Sequence, residues 1–212
     1  MNMIKLLSAI LATVLGAANA MATEEAKYDV IVKEGRFEVR EYAPQILAET
    51  VVKGSMGEAG NKAFGRLFGY ISGDNRSRTK IEMTAPVSQK PEGEKIKMTA
   101  PVSQQQSEMG WAVSFMMPEY YTLDALPKPK NPKVVLRQVG KRWMAAVRYS
   151  GRWTEKAYLR HEAMLLAWIQ EKGYAAIGPP VWARYNAPFT PWFLRRNEVL
   201  IPIGSPDDSH SS

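Results

Sequence analysis

The sequence predicts an α+β domain in which two antiparallel units, each carrying one long helix, share a single barrel-like or saddle-shaped sheet with the helices outside. Three observations carry this expectation. Two segments repeat apolar residues three and four apart and end at a glycine. Most other patterned segments alternate apolar and polar residues, as half-buried strands do. The order strand–strand–helix–strands also occurs twice along a chain of 212 residues. The halves share little sequence, so the pseudo-repeat is one of element order.

In the first half, Tyr28 to Arg40 alternates loosely, with Glu34-Gly35-Arg36 as a turn inside it, and reads as a strand or tight hairpin. Gln45 to Val52 is the next strand. Ser55-Met56-Gly57-Glu58 has the S-x-x-E spacing of a capping box, which satisfies backbone donors at a helix start. The helix that follows carries Ala59, Ala63, Phe64, Leu67, Phe68 and Ile71 on one face and stops at Gly73. Next comes a near-identical repeat: Lys80-Ile81-Glu82-Met83-Thr84-Ala85-Pro86-Val87-Ser88-Gln89, then Lys95-Ile96-Lys97-Met98-Thr99-Ala100-Pro101-Val102-Ser103-Gln104. Each copy has strand patterning. The turn Pro91-Glu92-Gly93-Glu94 between them predicts a hairpin of the two, with each proline at a strand end or edge. Trp111 to Met117 is a further strand, ended by Pro118.

Beyond a Pro/Lys-rich connector, Leu126 to Pro132, the plan restarts. Val134 to Val139 and Trp143 to Tyr149 are strands, and Thr154 caps a helix that reaches Lys172 and stops at Gly173. Its apolar stripe is Ala157, Tyr158, Met164, Leu165, Trp168 and Ile169. Val181 to Tyr185 and Glu198 to Ile203 close the domain.

The first twenty residues read as a secretory signal peptide: Lys5, then an uncharged apolar run to Ala18, then the small residues of Ala18-Asn19-Ala20 before a cleavage site at Met21. The run is short for a membrane span. The expected organisation is a signal over 1–20, one domain over 21–204 and a polar, frayed tail over 205–212, with a periplasmic or secreted location. The chain has no cysteine, which excludes disulfides, thiolate catalysis, sulfur-ligated metals and lipoprotein attachment. Its formal charge is +7, and loss of Lys5 alone leaves +6. The basic residues are scattered among acids, a balance that favours an anionic small ligand. No basic helix or aromatic–basic strand motif points to nucleic acid.

Chemistry-bearing residues are few. His161 lies along the apolar edge of the second helix, either as a packed helix histidine or as a metal or haem ligand. There is no nucleophile elbow and no glycine-rich phosphate loop after a strand, so a binding protein rather than an enzyme is expected. Met83 and Met98 hold matching places in the repeat, as core filler or as thioethers near a tetrapyrrole. Phe64, Leu67 and Phe68 are a core stripe or the wall for a flat apolar ligand. In the second case Lys62 and Arg66 stand near for its acidic groups.

Phe37-Glu38-Val39-Arg40-Glu41-Tyr42, the K-I-x-M-T-x-P-V strand at Lys80 to Val87, Tyr185-Asn186-Ala187-Pro188 and Arg196-Asn197-Glu198-Val199 together resemble the SOUL haem-binding proteins, from about Tyr28 to Ile203. The resemblance implies a distorted antiparallel β-barrel of two similar halves with two long α-helices outside, and binding of haem or a related tetrapyrrole as a carrier or sequestering protein. One branch of the family ligates iron through a histidine just before the tyrosine of the first motif, and that place is Glu41 here. Another holds haem in an apolar cleft by the first helix without a strong axial ligand. Its apolar positions map to Phe64 and Phe68, its cleft tyrosine to Tyr185, and its two basic helix positions to Asn61 and Gly69. The first copy of the repeat, which follows Gly73-Asp74-Asn75 directly, is the expected occupant of the family's strand. Two further readings stand beside this one. The first is a binder of another amphipathic small molecule, since the fold also resembles the ligand-binding domains of drug-responsive regulators. The second is an enzyme acting on a tetrapyrrole.

Overall fold

The structure, a computed structural model, describes residues 23–77 and 93–205. The expected signal peptide, the first repeat copy with Met83, and the tail from residue 206 lie outside the described residues. The strands are β1 (Glu24–Glu25), β2 (Tyr28–Glu34), β3 (Phe37–Tyr42), β4 (Gln45–Val52), β5 (Asn75–Arg76), β6 (Thr99–Ala100), β7 (Val102–Ser107), β8 (Gly110–Met116), β9 (Lys128–Pro129), β10 (Val135–Val139), β11 (Arg142–Tyr149), β12 (Val181–Arg184) and β13 (Asn197–Ile203). The helices are α1 (Met56–Ile71) and α2 (Glu155–Glu171).

Nine strands form one antiparallel sheet in the order β10-β4-β8-β7-β12-β13-β11-β3-β2. Among the described residues the end strands β10 and β2 do not pair, and the sheet is a half-barrel. Local chemistry accounts for its parts. Gly35 takes φ +59, a left-handed turn that costs glycine nothing, and joins β2 to β3 as the expected hairpin. At the start of α1, Ser55 donates its N–H and its hydroxyl to Glu58 Oε2 at 3.3 and 2.7 Å. At the start of α2, Thr154 Oγ1 accepts the Ala157 N–H at 3.2 Å.

Strand alternation then sorts the sheet into two faces. From α2, Tyr158, Leu165, Trp168 and Ile169 pack on Val39, Ala145, Val147, Val199 and Ile201. From α1, Ala59, Ala63, Leu67 and Ile71 pack on Ala48, Val52, Val113 and Phe115. Both helices therefore cover the same face. The intervening positions Tyr42, Met144, Ala146, Ala183 and Leu200 form a third, smaller cluster on the opposite face, which carries neither helix. Each large side chain buried this way contributes about 1.5–3 kcal/mol.

The second repeat copy contributes to the centre of the sheet. β7, from the second copy, is paired on one side with β8 and on the other with β12. Both edges of Val102–Ser107 are therefore paired, and the hairpin expected with the first copy lies outside the described residues. The second copy, which the sequence reading does not favour, thus supplies a strand of the sheet. Pro101 stands between β6 and β7, the strand-end position its missing N–H favours.

Candidate functional site

A cleft of about 390 Å³ opens between the N-terminal half of α1, the second repeat copy and the segment after β12. Phe64, Met98, Val102, Trp153 and Pro188 provide its apolar lining. Its one charged lining residue among the described residues is Arg184, whose Nε donates to Tyr158 Oη at 2.9 Å and whose Nη2 donates to Gln104 Oε1 at 3.0 Å. No carboxylate pairs with this guanidinium among the described residues. Gln104, 2% exposed, also donates through Nε2 to the Met56 carbonyl at 2.9 Å, which ties the cleft floor to the start of α1. Gly60 makes the approach possible, because a Cβ there would lie 3.2 Å from Gln104 Oε1.

The residues expected from the sequence divide. Phe64 lines the cleft, packing edge-on against Phe115 with ring centroids 5.4 Å apart. Phe68 stacks on Phe64 at 5.8 Å and is exposed, outside the cleft lining. Leu67 is wholly buried in the α1 core, away from the cleft lining. Lys62 is exposed on α1 and is not in the cleft lining. Arg66 Nη1 donates instead to Thr50 Oγ1 and the Val51 carbonyl, both at 3.3 Å, and faces β4. Tyr185 lines the cleft, and Asn61 does too. Met98 is 38% exposed at the cleft wall, a position that core filling does not explain.

Trp153, Gln104 and Arg184 went unpredicted. Arg184 adjoins the Tyr185 motif. Trp153 precedes the α2 cap, where its Nε1 donates to Asn197 Oδ1 at 2.7 Å. Neither segment shows a pattern of its own that links it to α1.

Tyr185 is anchored from behind by a buried ionic network. Glu198, with no exposed surface, accepts from Arg40 Nη1 at 2.7 Å, Tyr185 Oη at 2.8 Å and Arg196 Nε at 3.0 Å. Burial alone would raise its pKa, but the two guanidiniums outweigh that and hold it below the usual glutamate value. Glu41, at the family's histidine position, pairs with Lys141 at 2.8 Å and does not line the cleft.

His161 is also away from the cleft. It is 3% exposed, its ring stacks on Tyr149 at 3.7 Å, and its Nδ1–H donates to the Ala157 carbonyl at 2.7 Å. Among the described residues no group of three His, Asp or Glu side chains could hold a metal ion. Burial lowers the His161 pKa, aided by the charges of Arg160 and Arg36 and opposed by the Ala157 bond. The neutral ring is thus favoured in the folded state, and stability is lost as pH falls below the ordinary histidine value near 6.5. Chemical denaturation at pH 7 and pH 5 is expected to show a smaller pH-dependent loss for His161→Phe than for the parent protein.

The half-barrel and its side cleft define an α+β protein built on a two-helix antiparallel sheet, with a pocket beside its first helix. A family model described as SOUL heme-binding protein matches residues 23–202, and the chain belongs to that family. Comparison with curated proteins finds no match. Among solved structures, the chain is similar to the C-terminal domain of EcmrR at 11% identity and a TM-score of 0.54, covering 84% of this chain and 98% of that one. It is also similar to a hydrolase from Listeria innocua at 12% identity and a TM-score of 0.57, covering 82% and 94%. These likenesses show the fold. No helix of the described residues is long and apolar enough to cross a membrane.

Proposed function

We propose that the cleft beside α1 binds haem or a related tetrapyrrole, and that the protein acts as a carrier or sequestering protein outside the cytoplasm. One observation carries the reading beyond family membership. The cleft combines an apolar wall with a guanidinium that no carboxylate of the described residues neutralises. Phe64, Met98 and Trp153 would hold the apolar macrocycle, and Arg184 would pair with a propionate. Among the described residues no acidic side chain lines the cleft, which disfavours the alternative of an apolar cation. The signal-like residues 1–20 support the location. Sequencing the N-terminus of the exported protein is expected to find Met21 first, and an intact Met1 would overturn that part.

Haemin titration of the purified protein is expected to give a saturable Soret shift. A charge-assisted hydrogen bond contributes about 1.5–3 kcal/mol, so Arg184→Leu is expected to weaken binding roughly ten- to hundredfold. His161→Phe is expected to leave the Soret band unchanged, because its ring is enclosed by α2 and Tyr149. The absence of a saturable shift, or full affinity in both Arg184→Leu and Phe64→Asp, would refute the proposal.

A further inference from the structure

The sheet face that carries neither helix holds a second cavity, of about 240 Å³, separated from the haem cleft by the β7 strand. Its floor is the third core cluster, chiefly Met144 and Leu200, with Leu47 and Met116 from the neighbouring half. Its charged lining residues among the described residues are Arg137 and Arg142, and none of these lining residues is acidic. Arg137 is already engaged by Glu49 at 2.8 Å. Arg142 differs: its Nη2 reaches only the amide oxygen of Gln45 at 3.4 Å, and no carboxylate pairs with it among the described residues. Its Nη1 and the Gln45 Nε2 are both buried donors without a hydrogen-bond partner.

Such donors are uncommon because an unmade bond costs the full desolvation of the group. The contrast on the same face is informative. The buried Arg40 spends its donors on Glu38, Glu198 and Tyr42. Arg142 has only the Tyr42 ring, 5.6 Å from its Cζ, and the weak amide contact. Burial pulls the Arg142 pKa down from its ordinary value, opposed by Tyr42 and aided by the nearby charge of Arg137.

We infer that this cavity is a binding site for a small amphipathic carboxylate, its head group paired with the Arg142 guanidinium and Gln45 amide and its short apolar tail on Met144 and Leu200. The volume lies below the ~300–1,000 Å³ usual for drug-sized ligands, so the tail is short. Carboxylate geometry suits a guanidinium fork, and the apolar floor excludes a bare inorganic anion as the preferred occupant.

The probe is octanoate, with octan-1-ol and octylammonium as uncharged and cationic counterparts, followed by calorimetry and thermal melting. Octanoate is expected to bind saturably and raise the melting temperature, while the other two do neither. Arg142→Met is expected to lose octanoate binding at least tenfold, yet to melt no lower than the parent without ligand, since it replaces a half-buried cation whose Nη1 has no partner by an apolar chain of similar length. Arg184→Leu, in the haem cleft, is expected to keep octanoate binding, so failure of either site is read separately. Equal binding of the alcohol, undiminished binding by Arg142→Met, or loss in Arg184→Leu would overturn the inference.

Discussion

Glu198→Ala is expected to destabilise the fold by about 3–5 kcal/mol, the cost typical of removing one partner from a buried ion pair. The reason is the group left behind. Arg40, 2% exposed, would keep a charge in the interior with only Glu38 at 2.7 Å to answer it. At about 2–4 °C per kcal/mol for a domain of this size, the melting temperature should fall by on the order of 10 °C. Replacing both partners, Arg40→Met with Glu198→Leu, is expected to recover most of the loss. Recovery would show that the penalty lies in the unpaired charge rather than in the pair itself. The network also sets an acid limit. The Glu198 pKa is lower folded than unfolded, so its stabilisation is complete above the ordinary value of 4.5 and is lost as pH falls below it. Thermal melting from pH 7 to pH 3 checks this. A parent protein that is no less stable at pH 3 than at pH 7 would contradict it.

Leu67→Ala is the second large effect, with an expected loss of about 2–5 kcal/mol from transfer and cavity costs. Leu67 is wholly buried against the sheet beneath α1, one turn from Phe64 at the cleft. The two residues therefore separate stability from binding. Leu67→Ala should lower the denaturation midpoint while leaving haemin affinity per folded molecule unchanged. Phe64→Asp should do more to affinity than to stability, because Phe64 is only partly buried. Equal effects of both variants on affinity would place Leu67 in the ligand wall instead.

The network also links the fold to the cleft. Tyr185 belongs to both, lining the cleft and donating to Glu198 at 2.8 Å. The Arg196-Asn197-Glu198 run serves the interior in the same way. Glu198 holds Arg40, and Asn197 Oδ1 accepts from the cleft residue Trp153 at 2.7 Å. These motif residues act by positioning the residues around the site.

Much of the architecture was legible in the residues because it rests on local rules. The Ser55–Glu58 and Thr154 caps, Gly35 in its turn and the alternation along β3, β8, β11 and β13 each depend on a few neighbouring positions. Periodicity also identified the apolar stripe of α1. It could not divide that stripe, since Leu67 and Phe68 are adjacent and only the placement of the sheet makes one core and the other surface. Hydrophobic pattern likewise could not choose between the two copies of a nearly identical strand. The second copy occupies the sheet because its edges meet β8 and β12, and such pairing is long-range.

The sequence by itself determined the α+β class, the element order, the family and the presence of an aromatic helix face. Tertiary structure alone decided which residues meet. It brought Arg184 and Trp153 to Phe64, turned Arg66 to β4, enclosed His161 against Tyr149, and left Arg142 without a carboxylate among the described residues. The physical reason is that a helix or strand is specified by neighbours a few residues apart, whereas a site depends on contacts such as that between Gln104 and Arg184 across two paired strands, whose register no local pattern encodes.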